Sequence, residues 1–463
     1  MLSINQIISE NSHNNSELSD GRNYCSYAEI HKIFKSIDTQ LSFKKITKKD
    51  YLILITENTL KSAIVLLYLL AKNYSFFLIP NLNNSILCPS FCQYKLQVDS
   101  DLQKDQQHIS DISLNWTINN YWNGKKADPA NPQLYMQTSG STGKPKLLAH
   151  SHPKLLQNAL NCQKRLDLKS SDRISIPVPI YHLYGLGAAF LPAIIAGASV
   201  DLQANANPLR YLDREKAFKP NIALITPTFA QTLLKVRKSA RLYRFTVMAG
   251  DRIPANIFDL YEQKFGTVVP LYGSSEMGVI AIANSTESKK IRQNTVGKPL
   301  VGVEIKLEEK ETSQLWCRHQ YGFEGYVDYQ GNWLEQVGKN WFPTKDLAAI
   351  ISQTYLKILG RSDFCVNRDG LLVLLTDIDK AIESISGVEK AVTVTKGENI
   401  RGKEIKTYCV LEKNTKLTDK EIRNICFDLL PRRAVPDEVI IVSHLPLLSN
   451  GKINRQALIK DLS

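Results

Sequence analysis

The chain has 463 residues, 43% apolar and 22% charged, which gives room for roughly two or three domains with sizeable cores and excludes a disordered chain. Its 58 Lys and Arg outnumber 45 Asp and Glu for a net charge of +13. The basic residues are scattered, however, without a helix-turn-helix pattern, zinc-finger spacing or RNA-binding signature, so no nucleic acid is expected as a partner. Eight cysteines are spread along the chain; the close pair Cys88 and Cys92 has no zinc-type spacing around it, which reads as reduced thiols in a cytoplasmic setting.

In chain order, residues 1–21 are polar, without the apolar core of a signal peptide. Residues 63–80 are the most apolar stretch, but Lys72, Asn73 and Ser75 interrupt it. Its continuous part is too short for a membrane span, and a buried helix followed by a buried strand is expected. The polar stretch 99–126 reads as a poorly packed connection. Beyond it, helices at 153–166, 209–217, 229–235 and 257–265 alternate with strands at 174–180, 198–202, 222–225 and 246–249, the first strand weakened by Pro177 and Pro179. This alternation predicts an α/β fold with extended, largely parallel sheets and packed helices. After Gly360 the pattern changes. Strands at 371–375, 391–394, 407–411 and 439–442 and helices at 377–385 and 420–429 describe a compact α+β module of about a hundred residues. A boundary near Gly360 and Arg361 therefore divides a large domain, 1–360, from a small mobile domain, 361–463.

The segment Thr138-Ser139-Gly140-Ser141-Thr142-Gly143-Lys144-Pro145-Lys146 carries the most chemistry. Hydroxyls and two glycines let backbone N–H groups turn toward phosphate oxygens, and two lysines add positive charge. It departs from the Walker pattern, because Pro145 follows the lysine where a helix would begin. Taken alone it is an ordinary polar turn; its company changes that. Tyr272-Gly273-Ser274-Ser275-Glu276 gathers an aromatic face, a glycine, hydroxyls and a carboxylate. Asp346 follows an aromatic run, Gly360-Arg361-Ser362-Asp363 comes soon after, and Lys452 lies on the glycine-containing segment 445–455.

With these motifs in this order the chain resembles the AMP-forming adenylate-forming superfamily of acyl-CoA synthetases, luciferase-like enzymes and free-standing adenylation domains. The resemblance implies ATP and Mg2+ as cofactors. It makes Thr138, Ser139, Gly140, Ser141, Thr142 and Lys146 the pyrophosphate-side loop. Tyr272 would stack on adenine, Gly273 and Ser274 would belong to the nucleotide site, Ser275 would contact the α-phosphate, and Glu276 would hold Mg2+. Asp346 and Arg361 would bind the ribose hydroxyls, Asp251 would border adenine and the acyl pocket, Lys452 would be the adenylation lysine, and Asp363 the hinge between domains. Each has a bland competitor: core packing for Tyr272, a helix N-terminal acid for Glu276, a turn cap for Asp346, a surface lysine for Lys452. Three positions depart from the family: Lys345 stands where Gly is usual, and Phe364 and Asn367 replace an acid and a basic residue after the hinge. Asn367-Arg368-Asp369-Gly370 is similar to a segment of enzymes that load aryl acids onto carrier proteins.

Residues 180–187 look like the acyl- and aryl-CoA ligase form of their region, where His182 would border the acyl tunnel; a structural histidine is the competing reading. Amino-acid-activating relatives carry an acid here, and none lies between Asp172 and Asp201. A buried ammonium without a counter-charge is costly, so a fatty or aryl acid is expected rather than an α-amino acid. The acyl-adenylate would pass to a thiol of coenzyme A or of a phosphopantetheinylated carrier protein supplied in trans, because only eight residues follow Arg455. A homologue without catalysis, serving as a binding or scaffolding subunit, is the alternative; Lys345 and Phe364 favour it, Glu276 and Lys452 oppose it. An oxidative enzyme of luciferase type is a further alternative that the motifs leave open.

Overall fold

The structure, a computed structural model, describes residues 2–81, 87–98, 107–124, 132–137, 146–308, 313–368, 371–399, 402–447 and 453–460. The chain divides into two compact units. The larger comprises Met1–Ile305, Cys317–Phe342 and Ile350–Lys357, and the smaller Lys306–Trp316, Pro343–Ala349 and Ile358–Ser463.

A ten-stranded sheet organises much of the large unit. Its spatial order is Lys298–Pro299, Gly278–Ile282, Val268–Ser274, Phe245–Met248, Ile222–Ile225, Arg173–Ile176, Ser199–Leu202, Glu17–Ser19, Asn23–Ser26 and Gln107–His108. From Val268–Ser274 across to Glu17–Ser19 every pairing is parallel. Three of these strands are buried at every residue, as a parallel strand covered on both faces must be. Helices Pro208–Phe218, Pro227–Val236 and Ala255–Phe265 start where the sequence supplies a cap or a proline. Asn207 and Thr226 accept hydrogen bonds from the N–H groups of Arg210 and Phe229, and Pro254 precedes the third helix. Their apolar faces pack with Ile225, Met248 and Val268 into one cluster. The strand expected to reach residue 180 stops at Ile176, because Pro177 has no N–H for the ladder.

A second, eight-stranded sheet runs Trp333–Gln336, Gly325–Val327, Leu147–Ser151, Gln133–Gln137, Phe76–Pro80, Leu52–Thr56, Tyr94–Val98 and Leu114–Ile118. Its four-strand centre is parallel, with antiparallel strands on either side. The helix and strand expected from residues 63–80 are Leu60–Ala71 and Phe76–Pro80, both largely buried. The outermost strand, Leu114–Ile118, corrects the reading of 99–126 as a mere connection: alternating Leu114, Trp116 and Ile118 pair it antiparallel with Tyr94–Val98. No described helix is long and apolar enough to cross a membrane. The cysteines with described side chains are buried thiols.

In the small unit, strands Leu371–Leu374, Cys365–Arg368, Gly402–Leu411 and Val388–Asn399 lie side by side, and Glu438–Ile441 pairs parallel with Gly402–Leu411. Helices Leu375–Glu383 and Asp419–Leu429 cover a core that includes Val373, Ile378, Ile382, Ile405, Ile422 and Val439. The second helix opens on a capping box made by Thr418 and Glu421.

Candidate functional site

Two neighbouring parallel strands, Phe245–Met248 and Val268–Ser274, present their carboxyl ends at one edge of the large sheet, where open α/β sheets build ligand sites. After the first strand the chain runs through Ala249 and Gly250 to Asp251, which is exposed and whose Oδ1 accepts a hydrogen bond from the Arg252 N–H at 2.7 Å. After the second strand it turns back into Gly278–Ile282, antiparallel, with a register shift at Tyr272 and Gly273. A Cβ at Gly273 would collide with the Gly278 carbonyl, and Gly278 has φ +65°. Glycine is therefore required on both sides of the turn.

Three hydrogen bonds hold that turn. Ser274 Oγ accepts from the Met277 N–H at 3.0 Å, the Glu276 carbonyl accepts from the Phe323 N–H at 2.8 Å, and the Ser275 carbonyl accepts from His150 Nε2 at 2.8 Å. Burial pushes the His150 imidazole down to about 4, so at neutral pH it is uncharged and serves as a fixed N–H donor. Ser275 stays exposed, and Tyr272 and Glu276 are half-buried.

The Glu276 carboxylate accepts a hydrogen bond from the Tyr326 phenol, at 3.0 Å to Oε1. Burial, followed by the Glu276 charge, raises that phenol's pKa, so it remains a donor. The Lys146 ammonium lies 5.0 Å from the centroid of the Tyr326 ring, within cation–π range. Lys146, Tyr326 and Glu276 thus form a row. Tyr326 is placed by the pairing of Gly325–Val327 with Leu147–Ser151, which sets it opposite Leu148. Thr138, Ser139, Gly140, Ser141 and Thr142, expected to cradle pyrophosphate, lie outside the described residues, as does Lys452. Gln137 and Leu147, on either side of the first of these segments, are partners in the antiparallel ladder.

His182 is half-buried, with its ring edge-on to Tyr181 at 4.8 Å. It precedes a seven-residue π-helical stretch, Tyr184–Phe190, a geometry common at functional sites. The Tyr184 phenol donates to the carbonyls of Ile225 and Val247 at 3.0 and 3.1 Å, fastening this stretch to two of the parallel strands.

In the small unit, Asp346 is buried and its Oδ1 lies 3.7 Å from Arg361 Nη1. The Asp346 N–H donates to Thr344 Oγ1 at 3.1 Å, and that hydroxyl donates to the Leu315 carbonyl at 2.9 Å. Lys345 is exposed with φ +62°, a left-handed conformation that explains the family's glycine here; its side chain is turned to solvent. Asp363 falls in a short 3-10 turn, Ser362–Phe364, between strands Tyr355–Arg361 and Cys365–Arg368. Phe364, where the family has an acid, meets the Arg455 guanidinium at 4.6 Å. Arg455 also pairs with buried Asp379 at 2.7 Å and donates to the Thr393 carbonyl. Arg368 is fully buried against Asp437 at 2.9 Å, so its place in the four-residue likeness to aryl-acid enzymes is structural.

His150 and Tyr326 are site residues the motifs did not reveal. For His150 a signal existed: it is a polar residue in the apolar strand Leu147–Ser151, and a buried polar group needs a partner. Tyr326 lies 50 residues from Glu276, and no local pattern marks that contact. Among the described residues no group of three or more His, Cys, Asp or Glu could hold a metal. The Glu276 carboxylate and neighbouring hydroxyls are oxygen donors, fitting a Mg2+ taken up by one carboxylate together with nucleotide phosphates rather than by a protein cage.

Fold and site together define a two-unit α/β protein with a carboxylate-bearing turn at the carboxyl edge of a parallel sheet. The chain belongs to the AMP-binding enzyme family, whose main domain matches residues 86–327 and whose C-terminal domain matches residues 377–452. It is 26% identical over 351 residues to the mitochondrial medium-chain acyl-CoA ligase ACSF2 of Rattus norvegicus, covering 71% of this chain but only 56% of that protein's length. The crystal structure of ATP-bound MatB from Rhodopseudomonas palustris superposes with a TM-score of 0.81 at 17% identity, over 99% of both chains. The o-succinylbenzoate CoA synthetase MenE of Bacillus subtilis, in complex with the acyl-adenylate OSB-AMP, gives 0.80 at 19% identity, over 98% of this chain and 97% of that one.

Proposed function

We propose that the protein is an AMP-forming carboxylate–thiol ligase. ATP and a fatty or aryl acid give an acyl-adenylate and pyrophosphate, and a thiol then displaces AMP. The observation that carries this reading is the row of Lys146, Tyr326 and Glu276 beside the held turn Tyr272–Glu276, in a chain of the AMP-binding enzyme family.

The roles follow from charge. Attack by a carboxylate on the α-phosphate brings two anions together, and the leaving pyrophosphate gathers more charge. Mg2+, when bound through Glu276 and the phosphates, supplies cationic charge that offsets part of this. Lys146, with the hydroxyls and backbone of Thr138, Ser139, Gly140, Ser141 and Thr142, faces the pyrophosphate. Ser275 meets the α-phosphate, Tyr272 stacks on adenine within a nucleotide site that includes Gly273 and Ser274, and Asp251 borders adenine and the acyl pocket. Asp346 takes the ribose hydroxyls with Arg361, Lys452 balances charge during adenylation, and the small unit swings about Asp363. His182 borders the acyl pocket.

For the substrate, the stretch between Asp172 and Asp201 offers no acid to an α-ammonium, which supports a fatty or aryl acid over an α-amino acid; the names of the relatives span medium-chain acyl-CoA, oxalate–CoA and sulfoacetate–CoA ligases and do not choose among non-amino acids. The same names favour coenzyme A over a carrier protein as the acceptor. The test is ATP–pyrophosphate exchange with a panel of fatty, aryl and amino acids, followed by thioester formation with coenzyme A and with a phosphopantetheinylated carrier protein. Exchange with a fatty or aryl acid is expected. Absence of exchange with every acid would leave the scaffold reading, and preference for an amino acid would overturn the pocket assignment.

A further inference from the structure

The Tyr326 phenol has no part in the reaction above, yet its hydroxyl reaches the Glu276 carboxylate at 3.0 Å. Its ring is fixed from several directions. Phe323 meets it edge-on at 5.1 Å and 79°, strand pairing sets its backbone opposite Leu148 and Glu335, and Lys146 covers it at 5.0 Å. Packing alone would account for a phenylalanine here. The hydroxyl adds a donor aimed at the Glu276 carboxylate, the group proposed to take up the divalent cation.

A glutamate has several rotatable bonds and loses that freedom when a cation takes it up. A donor that already fixes Oε1 leaves less to lose and keeps Oε2 as the oxygen for the cation. Groups behind a metal's own ligands act in this way, orienting the ligand and tuning its affinity. We infer that Tyr326 is a positioning residue for divalent-cation binding: its hydroxyl orients Glu276 toward the cation that accompanies the nucleotide, and its ring keeps Lys146 beside the same site. This rests on the reading of Glu276 as the cation's carboxylate.

The test uses the full chain without acid substrate. Mn2+ binding is read by electron paramagnetic resonance with α,β-methylene-ATP present, and binding of that nucleotide alone is read in EDTA. Tyr326→Phe should weaken Mn2+ binding about tenfold while nucleotide affinity in EDTA and the thermal unfolding midpoint stay near wild type. Glu276→Gln should weaken it at least as much, and the double variant no more than Glu276→Gln alone, because the phenol acts through the carboxylate. A size-matched pair keeps the question open to refutation if Tyr326→Phe folds poorly: Tyr326→Gln, which retains a donor, should bind Mn2+ more tightly than Tyr326→Leu. If Tyr326→Phe binds Mn2+ like wild type while Glu276→Gln does not, or if the Gln and Leu variants are equal, Tyr326 is only a packing residue and the inference falls. If Glu276→Gln itself binds like wild type, the assignment of Glu276 falls first and takes this inference with it.

Discussion

The two units fix their functional segments by different means. In the large unit the turn after Val268–Ser274 is held by hydrogen bonds from neutral, buried groups, His150 and the Phe323 N–H, and its flanking residues Leu271 and Val279 belong to a large apolar core. In the small unit the C-terminal segment adds charge to apolar packing: Leu458 clusters with Val392, Val394 and Tyr408, while Arg455 joins Asp379, the Thr393 carbonyl and the face of Phe364. A site on a sheet edge backed by a large core can be built without ions, whereas a module of about a hundred residues has less apolar area to bury and leans on pairs. On the proposed roles, the large unit presents the phosphate-side groups and the small unit the ribose pair Asp346 and Arg361 together with Lys452.

The largest expected effect tests that division of labour. Lys452→Ala should lower ATP–pyrophosphate exchange at least about a hundredfold, because one cation at developing charge is removed. Affinity for AMP, measured by calorimetry, should stay near wild type, since the nucleotide's anchors are placed elsewhere. A parallel loss of AMP affinity would show that Lys452 anchors the ground state instead.

Much of this was legible in the sequence, for identifiable reasons. Buried parallel strands such as Ile222–Ile225 are short apolar runs between helices whose caps are written locally in Asn207 and Thr226. In the small unit the helices Leu375–Glu383 and Asp419–Leu429 lie within two residues of expectation, whereas strands Val388–Asn399 and Gly402–Leu411 extend well beyond the apolar runs 391–394 and 407–411, and strand Cys365–Arg368 was not expected. The edge strand Leu114–Ile118 was hidden by its polar flanks, although its residues alternate. Contacts such as Tyr326 to Glu276 join side chains from different sheets, so no spacing rule reaches them. Lys345 shows the converse: a departure from the family read in sequence became intelligible once its φ was known.

Acid should separate the units next. His150, His152 and His319, all in the large unit, are buried, and burial lowers them to about 4, about 3 and about 4. With folded values below the unfolded value near 6.5, the unfolded chain takes up protons first. Stability from these groups is full above about pH 6.5 and is lost as pH falls through about 4. By pH 5 that amounts to about 2 kcal/mol each. The small unit's histidine, His444, is exposed. Hydrogen-exchange protection, corrected for the slower intrinsic exchange in acid, should therefore fall between pH 7 and 5 in the strands around His150 and His319 before it falls in the small unit; the reverse order would break the comparison.

Arg455→Met probes the small unit directly. It strands the buried Asp379 carboxylate, whose pKa burial already raises against the pull of Arg455, and should cost about 3 kcal/mol. Limited proteolysis should then cut within the small unit while the large unit resists. Asp379→Asn combined with Arg455→Met should recover part of the loss, because no charge is left buried and an amide oxygen can still accept from the Thr393 N–H that now donates to Asp379 at 2.6 Å.

The smallest effect concerns Lys345, next to Asp346. Its φ of +62° costs a residue with a Cβ about 1–2 kcal/mol relative to glycine, while glycine gives back roughly 0.5–1 kcal/mol through the freedom it adds to the unfolded chain. Lys345→Gly should thus stabilise the small unit by at most about 1.5 kcal/mol, as read by its denaturant midpoint. Activity decides what the lysine is for. The side chain is exposed, and if it only tolerates its backbone, exchange and thioester formation should be unchanged in Lys345→Gly. If instead the ammonium assists Asp346 at the ribose or meets a phosphate of the thiol substrate, KM for ATP or for coenzyme A should rise with kcat little altered, and Lys345→Arg should preserve what Lys345→Gly loses. Because the stability gain and the affinity loss would have opposite signs, one preparation of each variant is enough to tell an accommodated substitution from a recruited one.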